Sequence, residues 1–288
     1  MVNKYMSLKD YIDKYKFKNI DVINDSFAWA KYPEFNFIYN KLWLAQSQDI
    51  PCGPMGVYPH KYPIIFKPII NLYGMSRGFK IINNEEDYDK NIKDGFFWES
   101  YLVGDHWCID LILVNGEIKF YSCLKSYPGK NGSFLYHKSL PEFEIPNHIL
   151  FWIKTYFSSY TGALNLEIIN GLIIEGHLRL NGDFQLYDKL FVENLDKLYD
   201  KGTWQLDKYQ IKNSYLFPIF IKKEMNKEKY NNLKNNIIKI SEDLNATSLL
   251  IDNIFSICQS EYLSRAFMIE FSSERNIKDI FSKINLLN

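Results

Sequence analysis

The chain has 288 residues, 47% of them hydrophobic and 17% aromatic, enough for one large domain or a few small lobes with a packed core. Its 34 basic and 34 acidic residues cancel, so neither nucleic-acid binding nor an acidic disordered tail is indicated, and any anion site must be built locally. There is no apolar run of about 18 residues and no apolar leader core after Met1-Val2-Asn3-Lys4-Tyr5. A cytoplasmic protein is therefore expected, without membrane segments and with Cys52, Cys108, Cys123 and Cys258 as reduced thiols, since none has CxxC spacing.

In chain order, Ser7 followed by Leu8, Tyr11, Ile12 and Tyr15 predicts a short capped amphipathic helix. Residues 20–38 read as aromatic-rich and irregular, and a helix is predicted from about Tyr39 to Gln48, ending in the turn-rich Ile50-Pro51-Cys52-Gly53-Pro54-Met55-Gly56. Pro63-Ile64-Ile65-Phe66-Lys67-Pro68 is an apolar strand closing on a lysine. Residues 71–78 form a glycine-bounded loop, Phe79 to Ile82 a strand, Glu85 to Ile92 a helix and Phe96 to Leu102 another strand. Two long strands, about 106–114 and 117–124, turn at Asn115-Gly116, and 125–140 reads as a polar loop. A helix near 147–159 precedes a hairpin. Beyond Trp204 come a strand at Tyr215–Ile221 and an amphipathic helix marked by Tyr230, Leu233, Ile237 and Ile240. A strand over 263–271 and a helix over 275–285 complete the chain.

The hairpin over 165–180 carries most of the chemistry. Strand side chains alternate faces, so Glu175, His177 and Arg179 point one way. A loop of Asn170-Gly171 alone would set Glu167 opposite Ile174 and put the two carboxylates on opposite faces. A three-residue loop, Ile169-Asn170-Gly171, would bring Glu167, Glu175, His177 and Arg179 to one face. Glu167 and Glu175 would then be diagonal neighbours, roughly 7–8 Å apart at Cα. The second register is expected, because it makes a face suited to a charged, metal-bound ligand.

The order of these features resembles the ATP-grasp superfamily, in places its biotin carboxylase and carbamoyl-phosphate synthetase branch, over roughly residues 39–190. Asn40-Lys41-Leu42-Trp43 through Asp49-Ile50-Pro51-Cys52-Gly53-Pro54 is similar to the family's "D-K … G-I/V-P-x-x-P" helix. Residues 63–68 resemble its "P-hydrophobic-hydrophobic-K-P" strand, and Gly74-Met75-Ser76-Arg77-Gly78 its glycine-rich phosphate loop. Glu99-Ser100-Tyr101-Leu102 looks like the "E-x-Y-L" hinge beside adenine, and His106 falls where the carboxylase branch has a nucleotide-contacting histidine. Asn165-Leu166-Glu167 with Ile174-Glu175-Gly176-His177-Leu178-Arg179 resembles "N-x-[EQ] … I-E-x-N-x-R".

The resemblance implies an α+β ATP-grasp fold of two lobes gripping a nucleotide. Its parts would be a reduced N-terminal region with the opening helix over 1–60, a lid over 61–103, a core sheet with the metal site over 104–204 and a small C-terminal α/β extension over 205–288. It implies ATP and Mg2+, with Mn2+ as alternative. Lys41, Lys67 and the backbone of Gly74 to Gly78 would hold phosphates. Glu99, Tyr101, Leu102 and His106 would border adenine, with Trp98 helping to wall the ring. Glu167, Glu175 and His177 would bind metal, and Arg179, with Lys67, would act on the transferring group. His177 stands where asparagine is usual. Metal ligand, phosphate donor or marker of a one-metal site are all open to it, and imidazole suits manganese or zinc better than magnesium. Residues 205–288 match no pattern. The expected activity is ligation of a small-molecule carboxylate to an amine, or a thiol, through an acyl phosphate. The alternatives are phosphoryl transfer to a hydroxyl and a non-catalytic nucleotide-binding role.

Overall fold

The structure is a computed structural model that describes residues 3–4, 16–20, 24–72, 78–129, 133–181, 187–206, 209–221, 226–251, 264–274 and 277–285. The elements, in order, are β1 (Asn3–Lys4), α1 (Asp25–Lys31), a 3-10 helix (Pro33–Tyr39), α2 (Lys41–Gln46), β2 (Cys52–Pro54), β3 (Ile64–Pro68), β4 (Lys80–Ile82), α3 (Glu85–Asn91) and β5 (Phe96–Ser100). There follow β6 (His106–Val114), β7 (Glu117–Pro128), β8 (Phe134–Ser139), α4 (Asn147–Tyr156), β9 (Gly162–Ile169), β10 (Leu172–His177), α5 (Lys189–Lys201), β11 (Tyr215–Ile221), α6 (Lys227–Asp243), β12 (Ser248–Ile251), β13 (Ser264–Phe271) and α7 (Ile277–Asn285).

Two sheets organise these elements. A nine-stranded sheet runs β1-β12-β13-β11-β8-β7-β6-β9-β10, and a four-stranded antiparallel sheet runs β2-β5-β3-β4. β6 lies between β7 and β9 and is buried on both faces, which is why Cys108-Ile109-Asp110-Leu111-Ile112-Leu113 is nearly all apolar. On one face Ile109, Leu111, Leu166, Ile168 and Ile173 pack against Ile38, Leu44 and the α4 residues Ile149, Trp152 and Ile153. On the other, Ile112, Phe120 and Ala163 meet Phe191, Val192, Leu195 and Leu198 of α5. The last strands join the large sheet where β11 pairs with β8 through Tyr215↔Lys138 and Leu216↔His137. They build their own core with Tyr230 and Ile237 of α6. Among the described residues, no helix is long and apolar enough to cross a membrane, and Cys52, Cys108 and Cys123 carry thiols.

Several elements differ from the sequence reading. The stretch read as irregular before Tyr39 holds α1 and the 3-10 helix. Asn24 caps α1 by accepting from Phe27 N, and Phe35, Ile38 and Tyr39 bury the second turn. The stretch read as a polar loop from 125 holds the end of β7 and all of β8. There Tyr127 and Tyr136 stack across the ladder at 4.1 Å, supplying the apolar contact that the lysines and serines concealed. Cys52–Pro54, read as turn, pairs with β5 as an edge strand. Helix α5 was not anticipated. The amphipathic helix expected near Ser7, and Cys258, lie outside the described residues.

The hairpin register is corrected as well. Leu172 pairs with Ile169, so the loop is the two-residue Asn170-Gly171, with φ of 50° and 79°. Both residues in the left-handed region make a turn whose twist matches the strands, which favours the shorter loop. The pairing Ile173↔Ile168 is then followed by Glu175↔Glu167, so Ile174 is an extra residue, a β-bulge. The bulge restores by one residue what the loop does not supply, and Glu167 and Glu175 face each other directly. Gln48 secures the outer edge of β10, accepting from Ile173 N at 2.7 Å and donating to Ile173 O at 2.8 Å.

Gly176 lets the 3-10 helix close on this strand: a Cβ there would stand 2.5 Å from Ile38 Cδ1, deep in the core. Gly176→Ala is expected to cost about 1–3 kcal/mol in denaturant unfolding. Ile38 Cγ1 would stand at 2.6 Å as well, so Ile38→Ala, which removes both clashing carbons, should cost less in the Gly176→Ala background than in the wild type. Costs that simply add in the double variant would refute this account of the packing.

Candidate active site

The two sheets enclose a cleft of about 440 Å³. Its lining includes Lys41, Lys67, Glu99, Tyr101, Leu102, Val103, Gly104, His106, Glu167 and Glu175, with apolar walls from Ile65, Phe79, Ile81, Phe134, Ile169 and Ile174. Five segments distant in sequence therefore meet at one place.

Each cation arrives on its own element. Lys41 is the first residue of α2, set by the Asn40 cap that accepts from Trp43 N at 3.0 Å, and its Nζ lies 2.9 Å from Glu175 Oε1. Lys67 sits in β3, 2.7 Å from Glu99 Oε1 on β5, and also donates to Ile174 O across the cleft at 3.2 Å. It is a buried strand lysine, not an exposed loop-end cation. Burial pushes the Glu99 carboxyl up, only partly offset by Lys67. Tyr101 and Leu102, read from the sequence as a hinge, line the cleft. Trp98 does not: alternation along β5 turns it into the core of the four-stranded sheet, where its Nε1 donates to Val57 O at 2.6 Å.

On the large sheet, Glu167 faces Glu175, and His106 Nε2 lies 3.4 Å from Glu167 Oε2, buried and without a hydrogen-bond partner. Burial would raise the Glu167 carboxyl, but His106, His177 and Lys41 outweigh it and hold it well below the usual carboxylate range. Glu167, Glu175 and His177 each offer a ligand atom, all within 4.8 Å of one another. Hard carboxylate oxygens with one imidazole form a donor set suited to a divalent ion. Gly74, Met75, Ser76 and Arg77 lie outside the described residues, and Gly78 has a φ of 79°.

Asp25 is the site residue that the sequence reading missed. From the first turn of α1 its Oδ1 takes His177 Nδ1 at 3.0 Å and its Oδ2 takes Arg179 Nη2 at 2.8 Å. Arg179 also donates to Leu180 O at 3.0 Å and is not among the cleft-lining residues. Burial works against the Asp25 charge, but His177 and Arg179 prevail and hold its carboxyl far below the usual range. The only local signal was the helix-start pattern Asn24-Asp25-Ser26, which says nothing of a partner 152 residues away.

No protein-family profile matches the sequence, and no curated protein matches it by sequence. Solved structures do match. An N5-carboxyaminoimidazole synthetase from Staphylococcus aureus, complexed with ADP, is 14% identical, with a TM-score of 0.64 over 85% of this chain and 71% of that one. An L-amino acid ligase from Bacillus licheniformis is 9% identical, with a TM-score of 0.56 over 99% and 84%. A biotin carboxylase from Campylobacter jejuni, in a β,γ-ATP complex, is 17% identical, with a TM-score of 0.51 over 71% and 58%. All three are ATP-grasp enzymes, and the chain has that α+β fold.

Asp25→Ala would leave a buried imidazole and guanidinium without their shared anion. It is expected to lower the unfolding free energy by about 3 kcal/mol. A loss below about 0.5 kcal/mol in urea titration would show that the triad is not a structural support.

Proposed function

We propose that this ATP-grasp chain is an ATP-dependent ligase that activates a small-molecule carboxylate as an acyl phosphate and passes the acyl group to an amine or a thiol. One observation carries the reading: two lysines from different elements and two facing carboxylates converge on one cleft beside Tyr101 and Leu102. The neighbours support it, since each is a ligase-type enzyme or was solved with an adenine nucleotide.

In this reading the adenine lies against Tyr101, Leu102 and the apolar wall, with the orphaned His106 Nε2 available to a polar group of the nucleotide. Lys41 and Lys67, each now neutralised by a carboxylate, exchange that partner for phosphate oxygens. Glu167 and Glu175 would hold a divalent ion, which would supply positive charge to the transferring phosphoryl group. Arg179 keeps a permanent positive charge beside this strand. To touch an acyl phosphate it must first leave Asp25. Positioning and charge stabilisation carry such a reaction, which needs no protein nucleophile.

Lys67→Ala removes a charged contact to phosphate and should weaken ATP binding about 10- to 100-fold. Glu99 is left without its partner, so Lys67→Ala/Glu99→Gln separates lost binding from lost folding. Unchanged ATP affinity by calorimetry in the folded double variant would exclude the phosphate role. Glu175→Gln should abolish ATP turnover. With a panel of carboxylates that includes amino acids, hydroxylamine should trap a hydroxamate; turnover that yields a phosphate ester and no hydroxamate would replace the ligase with a kinase.

A further inference from the structure

We infer that Asp25 holds His177 as a nitrogen ligand of the metal, so that the site selects manganese over magnesium; this rests on the metal reading of Glu167 and Glu175 above. His177 is buried, and its two ring nitrogens have different neighbours. Nδ1 is 3.0 Å from Asp25 Oδ1, and an ionised carboxylate only accepts, so the proton of a neutral ring sits on Nδ1. The competing contact, Arg179 Nη2 at 3.4 Å from Nδ1, is longer, and that guanidinium group already has Asp25 Oδ2 at 2.8 Å. Nε2 is thereby left with its lone pair, 3.8 Å from Glu175 Oε1 and directed at the Glu167–Glu175 pair.

The ring cannot easily turn away. Tyr39 packs against it edge-on at 6.3 Å, and the Tyr39 hydroxyl accepts from Leu178 N at 3.2 Å, fixing the chain just beyond His177. A carboxylate behind a histidine, with the far nitrogen facing a cluster of acids, is the arrangement that orients imidazole toward a metal. Magnesium asks for an all-oxygen octahedron and binds imidazole poorly, whereas manganese accepts mixed oxygen and nitrogen donors. Asp25 is thus a positioning residue, acting on the ion through His177.

The test is pulsed electron paramagnetic resonance on Mn2+ bound with a β,γ-methylene ATP analogue, whose phosphate chain contains no nitrogen. The wild-type protein should show modulation from a directly bound histidine nitrogen, altered when histidine is labelled with 15N. His177→Asn should abolish the modulation while still binding Mn2+ and analogue. Calorimetry should show the preference for Mn2+ over Mg2+ falling about tenfold in that variant. Asp25→Asn, checked for folding by circular dichroism, should weaken Mn2+ binding about 10- to 100-fold and reduce the nitrogen signal with His177 still present. Should Asp25→Asn fail to fold, His177→Asn alone decides the nitrogen ligand. Bound Mn2+ and analogue without nitrogen modulation would overturn this inference and leave the nucleotide site standing. A signal that survives His177→Asn would assign the nitrogen to His106 and overturn it equally. A signal unaffected by Asp25→Asn would remove Asp25 from the account. Folded wild-type protein that binds neither nucleotide analogue nor metal would overturn the proposed function together with the inference.

Discussion

One extra residue in β10 governs the site. With the tight turn at Asn170-Gly171 and no bulge, Glu175 would pair with Leu166 and point into the apolar core. A side-chain period of two makes that outcome unavoidable. The bulge at Ile174 instead sets Glu175 against Glu167 and His177 against Asn165. It is held from two directions, by Gln48 on Ile173 and by Lys67 on Ile174 O. The second contact comes from the four-stranded sheet, so the same carbonyl that marks the irregularity also ties the two sheets together.

Around that strand the charges are matched in pairs. Lys41 meets Glu175, Lys67 meets Glu99, and Asp25 meets both His177 and Arg179. Buried ions are tolerated only when so matched, and matching recovers little more than their desolvation cost. Such pairs therefore contribute modestly to stability while keeping cations and carboxylates desolvated at fixed points. A ligand carrying its own phosphates and metal offers each partner an exchange of like for like, and the preformed positions reduce the reorganisation that binding requires.

The fold was largely legible because its signals are local. Asn-Gly turns, the apolar run of β6 and the Ile64-Ile65-Phe66-Lys67 strand each declare themselves within a few residues, and their order suggested the two lobes. Lys41, Lys67, Glu99, His106, Glu167 and Glu175, read from the sequence as parts of one nucleotide and metal site, line one cleft. What was missed is non-local or masked by composition. The bulge reflects contacts from Gln48 and Lys67 that no hairpin pattern contains. Asp25 looks like any acidic residue in a first helical turn. Trp98 resembled a ring-stacking wall until the pleat of β5 placed it in the core of the four-stranded sheet. β8 hid behind lysine, serine and glycine because its stability comes from stacked rings across the ladder.

The spacing of the contacts bears on how the protein comes into being. Asp25 and His177 are 152 residues apart, Gln48 and Ile173 125, and Lys67 and Ile174 107. During synthesis the amino-terminal helices emerge long before the hairpin that completes their contacts, and closing such long loops is slow. No short fragment contains the whole cleft, since Lys41, Lys67 and Glu99 come from other segments than Glu167 and Glu175. A ligand that needs all five segments therefore binds only the finished protein, and by mass action draws the population toward it. For this chain, occupancy and completed folding are one equilibrium seen from two ends.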